Sequence, residues 1–254
     1  MDGEAPRSGL TGMAQNSENG ASRNSASPRS PASSPLTPGL ALIFDMDGVL
    51  IDSNPLHREA WTEYNRRYGV QTTPAMLERM YGKRNDDIVR DYFGESLSAE
   101  EVHRRGAEKE KLYREMVGGR VEQVLVRGIR NFLERYRQAP MALASNAEPP
   151  NVQFLLDRAG LRPYFRVVLD GSQVSRPKPD PEIYRLAATR LGVDPVNCIV
   201  FEDSLSGVQA ALAAGMRVIG LCTTYGNLPG ASICVDNFES GDLGSWLAAQ
   251  QLAV

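Results

Sequence analysis

The stretch Ala41-Leu-Ile-Phe-Asp-Met-Asp-Gly-Val-Leu50 narrows the possible folds more than any other part of the chain. An apolar run, Ala41 to Phe44, stops abruptly at Asp45, Asp47 and Gly48. Such a run, bounded by a turn residue, reads as a buried strand. Alternate residues of an extended chain share a face, so Asp45 and Asp47 point to the same side. Like charges that close are costly unless a cation lies between them or one carboxyl keeps its proton. Oxygen ligands favour Mg²⁺ as that cation. Taken alone, the pair also suits two solvated carboxylates beyond a strand end.

The rest of the chain supplies the sheet that such a strand needs. From Ile129 onward, helical and strand-like segments alternate. The strands are Met141–Ser145, Phe165–Asp170, Cys198–Asp203, Arg217–Cys222 and a short one at Ile233–Val235. Helices over Val152–Ala159, Asp180–Leu191 and Ser206–Ala214, each closed by a glycine, separate them, and a last helix starts at Leu243. That alternation predicts βαβ units and a doubly wound parallel sheet, an α/β fold. Between the first strand and this region, residues 56–122 read as wholly helical. Asn54 serves as N-cap before Pro55, Thr73-Pro74 opens a second helix closed by Gly82, and Ser98-Ala-Glu-Glu101 forms a capping box. The expected organisation is a tail (1–39), a core (40–55 and 123–254) and a helical insert (56–122), hinged near Asp52–Pro55 and Val121–Arg127.

Composition removes several classes of function. The tail is rich in Ser, Pro, Gly, Asn and Ala and has too few apolar residues to offset ordering, so disorder is expected. It lacks the charged start and apolar centre of a secretory signal; its scattered arginines leave an organellar transit peptide open. The net charge of −3 and a pI near 5.6 argue against a nucleic-acid partner. No apolar stretch reaches the roughly 20 residues of a membrane span. The three cysteines, Cys198, Cys222 and Cys234, have no metal-site spacing and are expected to be buried free thiols in a reducing compartment. A cytoplasmic monomer is the expectation.

The polar residues gather at one kind of position. Asp45 and Asp47 end one strand, Ser145 and Asn146 another, Glu202 and Asp203 a third. Ligands of open α/β sheets bind beyond the carboxyl ends of the strands, so neighbouring strands would bring all six together. Ser175-Arg-Pro-Lys-Pro-Asp180, stiffened by prolines, presents Lys178 at the same edge. Four acids, a hydroxyl, an amide and an ammonium around a metal suit a phosphoryl group. Asp45 is placed to attack phosphorus, and Asp47 to protonate the leaving oxygen and deprotonate the incoming one. Singly, each has another reading: Ser145 as an N-cap, Lys178 as a solvated charge, Glu202 and Asp203 as partners of a helix dipole.

In this order the residues resemble the four motifs of the haloacid dehalogenase (HAD) superfamily. Phe44-Asp-Met-Asp-Gly-Val-Leu50 is similar to the first, Ser145 to the second, Lys178 to the third and Phe201-Glu-Asp-Ser-Leu-Ser-Gly207 to the fourth. The insert looks like the type 1 cap. Gly-Val-Leu-Ile-Asp-Ser and Lys-Pro-Asp-Pro resemble the branch of β-phosphoglucomutases and small-metabolite phosphatases. The resemblance implies a Rossmann-like core, with Asp45 as nucleophile and Asp47 as acid/base. Mg²⁺ would be held by Asp45, the Asp47 carbonyl and Asp203, with Glu202 close behind, and phosphate by Ser145, Asn146 and Lys178. An aspartate at position 47 resembles phosphatases and phosphomutases, not dehalogenases. His57 and Lys109 fall where a β-phosphoglucomutase has cap-gating and substrate-contacting residues, and Arg84 is near its arginine. His57 also suits a helix surface, Lys109 a charged run, and His103 a solvated position.

The expected activity is a Mg²⁺-dependent phosphatase of a small phosphorylated, sugar-phosphate-like metabolite, acting through an aspartyl-phosphate. A β-phosphoglucomutase-type hexose phosphate isomerase is the alternative. A receiver-like binding module shares the strand-end aspartate and the lysine, but has neither the aspartate pair nor the insert. No Gly-x-Gly-x-x-Gly follows any strand to suggest a nucleotide-binding enzyme.

Overall fold

Six parallel strands form one sheet in the order β3-β2-β1-β4-β5-β6. They are β1 (Ala41–Phe44), β2 (Met141–Ala144), β3 (Val167–Leu169), β4 (Cys198–Glu202), β5 (Arg217–Leu221) and β6 (Ile233–Val235). This computed structural model describes residues 39–80 and 83–251. The tail, Gly39 excepted, and Gly82 lie outside the described residues, and so do the expectations made for them.

The strands are short apolar runs because both faces of the sheet are covered. Leu42 and Phe44 of β1 face one apolar cluster, while Ala41 and Ile43 face the other. The first cluster includes residues of α6 (Ile129–Arg135), α7 (Pro149–Arg158) and α10 (Gly241–Gln251); the second includes residues of α8 (Glu182–Leu191) and α9 (Leu205–Ala213). The register sets Phe44 between Leu143 and Phe201, which brings the carboxyl ends of β1, β2 and β4 level. The chain leaves β1 toward β2 on one side and later enters β4 on the other, so the crevice where the strand order reverses opens above β1.

Six described helices lie between β1 and β2: α6 of the core and, before it, the five of the insert, α1 (Asn54–Arg67), α2 (Pro74–Arg79), α3 (Asn85–Phe93), α4 (Ala99–Val117) and α5 (Val121–Val124). Of these, α1 to α4 enclose an apolar cluster of their own, built on Trp61, Tyr64, Met80, Ile88, Val89, Val102 and Leu112. Thr73 and Ser98 cap α2 and α4, accepting from the backbone N–H groups of Met76 and Glu101. The segments that enter and leave this unit lie side by side. Asp52 N–H donates to Val124 O, Val126 N–H donates to Leu50 O, and Ile51 forms an antiparallel bridge with Leu125.

Local differences from the sequence reading have physical causes. Helix α1 starts at Asn54, with Ser53 as the cap residue, because the Asn54 side chain donates to Thr224 Oγ1 far along the chain instead of capping. The second hinge segment, near Val121–Arg127, opens with a helical turn, α5. Both prolines of Pro149-Pro150 lie inside the first turn of α7, where a missing N–H costs nothing. All three cysteines are free, but only Cys198 is buried; Cys222 is partly exposed and Cys234 exposed, the latter because β6 is an edge strand.

Aromatic rings underpin the strand ends. Phe44 and Phe201 stack with centroids 4.7 Å apart and planes 4° from parallel. Phe132 of α6 meets both edge-on and also touches Phe238. Phe132→Ala should lower the unfolding free energy by about 3–5 kcal/mol, because the cavity left between these rings cannot collapse. Urea denaturation followed by circular dichroism measures it.

Candidate active site

Three strand ends and one loop converge on Lys178. Its ammonium donates to Asp45 Oδ1 at 2.7 Å, to Glu202 Oε1 at 2.7 Å and to the Ala144 carbonyl at 2.9 Å. These three bonds use all three of its donors. Asn146 Oδ1 accepts from the Lys178 backbone N–H at 3.2 Å and so fixes the loop that carries it. Ser145 is buried at the end of β2, and its Oγ accepts from Ala147 N–H at 3.0 Å, closing the turn.

Glu202, wholly buried, anchors this arrangement. One oxygen accepts from Lys178 and from the Tyr184 hydroxyl at 2.6 Å; the other accepts from Asp203 N–H, Ser204 N–H and Ser204 Oγ. Burial alone would raise its pKa, but Lys178 and these hydrogen bonds hold it below the usual carboxylate range. A Cβ on Gly207 would fall 1.8 Å from Glu202 Oε1, so the first turn of α9 can sit on this carboxylate only because residue 207 has no side chain.

Asp45 and Asp203 have the opposite balance. Burial raises Asp45, Lys178 opposes it, and the Glu202 and Asp47 charges lift it further, to about 7. Burial and then the neighbouring Glu202 and Asp45 push Asp203 well up, against a hydrogen bond from Thr224 Oγ1. One ammonium is too little positive charge for these carboxylates. Asp45, Glu202 and Asp203 each offer an oxygen within 4.8 Å of the others, so a divalent cation with oxygen ligands fits the donor set and removes the excess. Of the three, Glu202 already accepts five hydrogen bonds, which makes it first the anchor of Lys178.

Asp47 stands two residues beyond Asp45. Its Oδ1 is buried without a hydrogen-bond partner, and His57 Nε2 lies 3.7 Å away. Above the carboxylates a cavity of about 610 Å³ is walled by core residues and by the helical insert. Asp45, Asp47, Ser145, Asn146, Lys178 and Asp203 line it from below, and His57, Arg84 and Lys109 from the insert. Arg84 is exposed, at the start of α3. Lys109 is 1% exposed and bound to His57 Nδ1 at 2.8 Å and to Glu110 at 2.7 Å, so it is a paired wall residue and not a surface charge. His103 is exposed as expected, yet reaches the cavity lining.

Sequence reasoning passed over Tyr184, Glu110, Asn151 and Thr224. Tyr184 occupies an apolar helix position, Glu110 hides in the run Glu108-Lys-Glu-Lys111, and Asn151 follows two prolines. None has a local signal. Ser204 caps α9 three residues before Gly207, so the helix begins at Leu205, one residue earlier than the sequence reading placed it.

A buried carboxylate pair, a shared lysine and a cation-ready cluster at the carboxyl edge of a doubly wound sheet make a phosphoryl-transfer site. Residues 40–215 match the haloacid dehalogenase-like hydrolases, and the chain belongs to that family. It is 35% identical over 179 residues to the fructose-1-phosphate phosphatase YqaB of Escherichia coli (strain K12), covering 70% of this chain and 94% of that protein. It is 37% identical over 188 residues to a phosphorylated carbohydrates phosphatase of Thermotoga maritima, covering 71% and 84%. Among solved structures it resembles a β-phosphoglucomutase of Clostridium difficile, with a TM-score of 0.72, 26% identity and coverage of 84% and 99%. Its class is that of phosphoric monoester hydrolases and phosphomutases.

Gly48 gives a direct test of the cation cluster. Its φ is +72°, in the left-handed region, and a Cβ there would lie 1.9 Å from Asp203 Oδ2. Gly48→Ala should displace the Asp203 carboxylate and weaken divalent-cation binding about tenfold or more, measured by titration calorimetry.

Proposed function

We propose that this protein is a Mg²⁺-dependent phosphatase that hydrolyses monoesters of small, sugar-phosphate-like metabolites through an aspartyl-phosphate on Asp45. The observation that carries the reading is Lys178 bridging Asp45 and Glu202, with the partnerless Oδ1 of Asp47 nearby. The activities named for the two curated relatives above support the substrate class. Among the described residues no helix is long and apolar enough to cross a membrane. The three free thiols suit a reducing, cytoplasmic setting.

Asp45, Asp203 and the Asp47 main-chain carbonyl would hold Mg²⁺, with Glu202 behind them. When bound, it supplies positive charge to the phosphoryl oxygens. The chain's own groups do the rest. Lys178 engages one oxygen of Asp45 and fixes its rotamer. A carboxylate oxygen of Asp45 attacks phosphorus, the bond to the leaving oxygen breaks, and Asp47 gives that oxygen its proton. Asp47 then takes a proton from water as the water oxygen attacks phosphorus. The bond to Asp45 breaks, inorganic phosphate leaves, and both aspartates return to their starting states. Ser145 and Asn146, at the cavity floor, would orient phosphate oxygens. The helical insert serves as a cap that excludes bulk water.

A mutase reading has one observation in its favour, the His57–Lys109 pair at the cavity wall. The two reactions share the phospho-aspartate and differ in whether water or a sugar hydroxyl reaches it.

Release of inorganic phosphate from a panel of sugar and polyol monoesters with Mg²⁺ tests the proposal. β-Glucose 1-phosphate is included, with its products followed by phosphorus NMR. Free phosphate is the expected result; conversion to the 6-phosphate without release would favour the mutase. Asp45→Asn should abolish turnover with the fold intact by circular dichroism. Asp47→Asn should slow turnover of alkyl phosphates by roughly 10²–10⁴-fold.

A further inference from the structure

The insert and the core also meet at a buried carboxylate that the chemistry above leaves unused. Glu110 on α4 is 3% exposed. Its Oε1 accepts from Lys109 Nζ at 2.7 Å and from Asn85 Nδ2 at 2.8 Å. Its Oε2 accepts from Asn151 Nδ2 at 2.5 Å, and Asn151 belongs to α7 of the core. The amide oxygen of Asn151 in turn accepts from Arg114, one turn further along α4, also at 2.5 Å. Helix α4 thus grips one core side chain by both polar ends, which fixes its amide orientation. Burial would raise Glu110, but Lys109 and the Asn151 amide help to hold it at about 2, so it is a carboxylate.

Lys109 carries this order toward the catalytic pair. Paired with Glu110 as an ammonium, it can only donate, so His57 Nδ1, 2.8 Å away, accepts. The ring proton of a neutral His57 is then on Nε2. Parallel stacking on Tyr113, with centroids 4.0 Å apart, fixes the ring plane. The Nε2–H faces the partnerless Asp47 Oδ1 at 3.7 Å, longer than a hydrogen bond, so the ring sets the polar surroundings of that oxygen without bonding to it.

We infer that Glu110 and Asn151 form a cap-to-core clasp that positions the Lys109–His57 pair, and through it aims Asp47 at the leaving oxygen. The inference rests on the phosphatase reading above. Asn151 is a core residue and the other groups of the clasp belong to the insert, so the set is complete only when the two are seated together. Glu110 and Asn151 are positioning residues; neither acts on the reacting atoms.

The test compares kcat/KM for an alkyl monoester, glycerol phosphate, with that for p-nitrophenyl phosphate, whose leaving group departs without a proton. This parameter covers only the steps up to the aspartyl-phosphate, so the later water step does not enter. The alkyl-to-aryl ratio is also independent of the fraction of enzyme that folds. Asn151→Asp sets two carboxylates face to face, and Glu110→Gln removes the charge that holds Lys109. Each should lower the ratio about tenfold, as expected for a misaimed general acid. The double variant, Glu110→Gln with Asn151→Asp, exchanges the amide and the carboxylate across the contact and should recover part of the loss seen in Asn151→Asp alone. A ratio that stays at the wild-type value in both single variants overturns the clasp, and so does a double variant that recovers nothing. Wild-type enzyme that releases phosphate from neither ester overturns the phosphatase reading, and the clasp with it.

Discussion

The site depends on one buried ammonium shared between two carboxylates. Lys178 sits between Asp45 and Glu202 with both bonds at 2.7 Å and almost no exposure. Such a group is poor evidence for stability, since desolvating three charges costs about as much as their attraction returns. Removing one partner is what is expensive, because it strands the others. The arrangement therefore makes sense as a fixed electrostatic frame. Glu202 is held by five donors and in turn holds Lys178, which restrains the one carboxylate that must react. Asp45 and Asp203 are left with too much negative charge around them, which is the condition for drawing in a cation.

The sequence showed the frame but not its supports. Asp45, Asp47, Glu202 and Asp203 were legible because carboxylates directly after apolar runs stand out, and the alternation of helices and strands predicted the parallel sheet. Lys178 was legible from its prolines and its place between two strands. Tyr184 could not be found this way, since its hydroxyl meets Glu202 only after α8 packs on the sheet. Lys109 and Glu110 were indistinguishable from a solvated charged face. Their burial depends on α1, α3 and α7 closing around α4, and no local pattern encodes that. The same limit explains the start of α1, where Asn54 answers to Thr224, 170 residues away.

Insert and core divide the work. The core aligns groups that must stay still, using short strands whose ends are level. The insert has a small apolar cluster of its own, while Leu56 and Ala60 of α1 and Tyr113 and Val117 of α4 join the core's cluster; polar contacts and the paired hinge segments at Ile51 and Leu125 complete the junction. Polar contacts of this kind can be exchanged for water at modest cost, whereas the stacked rings beneath the site cannot. The sheet side of the cavity wall is thus the fixed one.

That fixed side has a consequence for how the molecule opens. The Asp45 amide donates to the Phe201 carbonyl, and Phe44 and Phe201 are stacked immediately below. Exposing this amide to solvent requires parting the two central strands, which means opening the aromatic core itself. Its hydrogen exchange would therefore proceed only through global unfolding, so the backbone that bears the nucleophile belongs to the last-opening part of the fold.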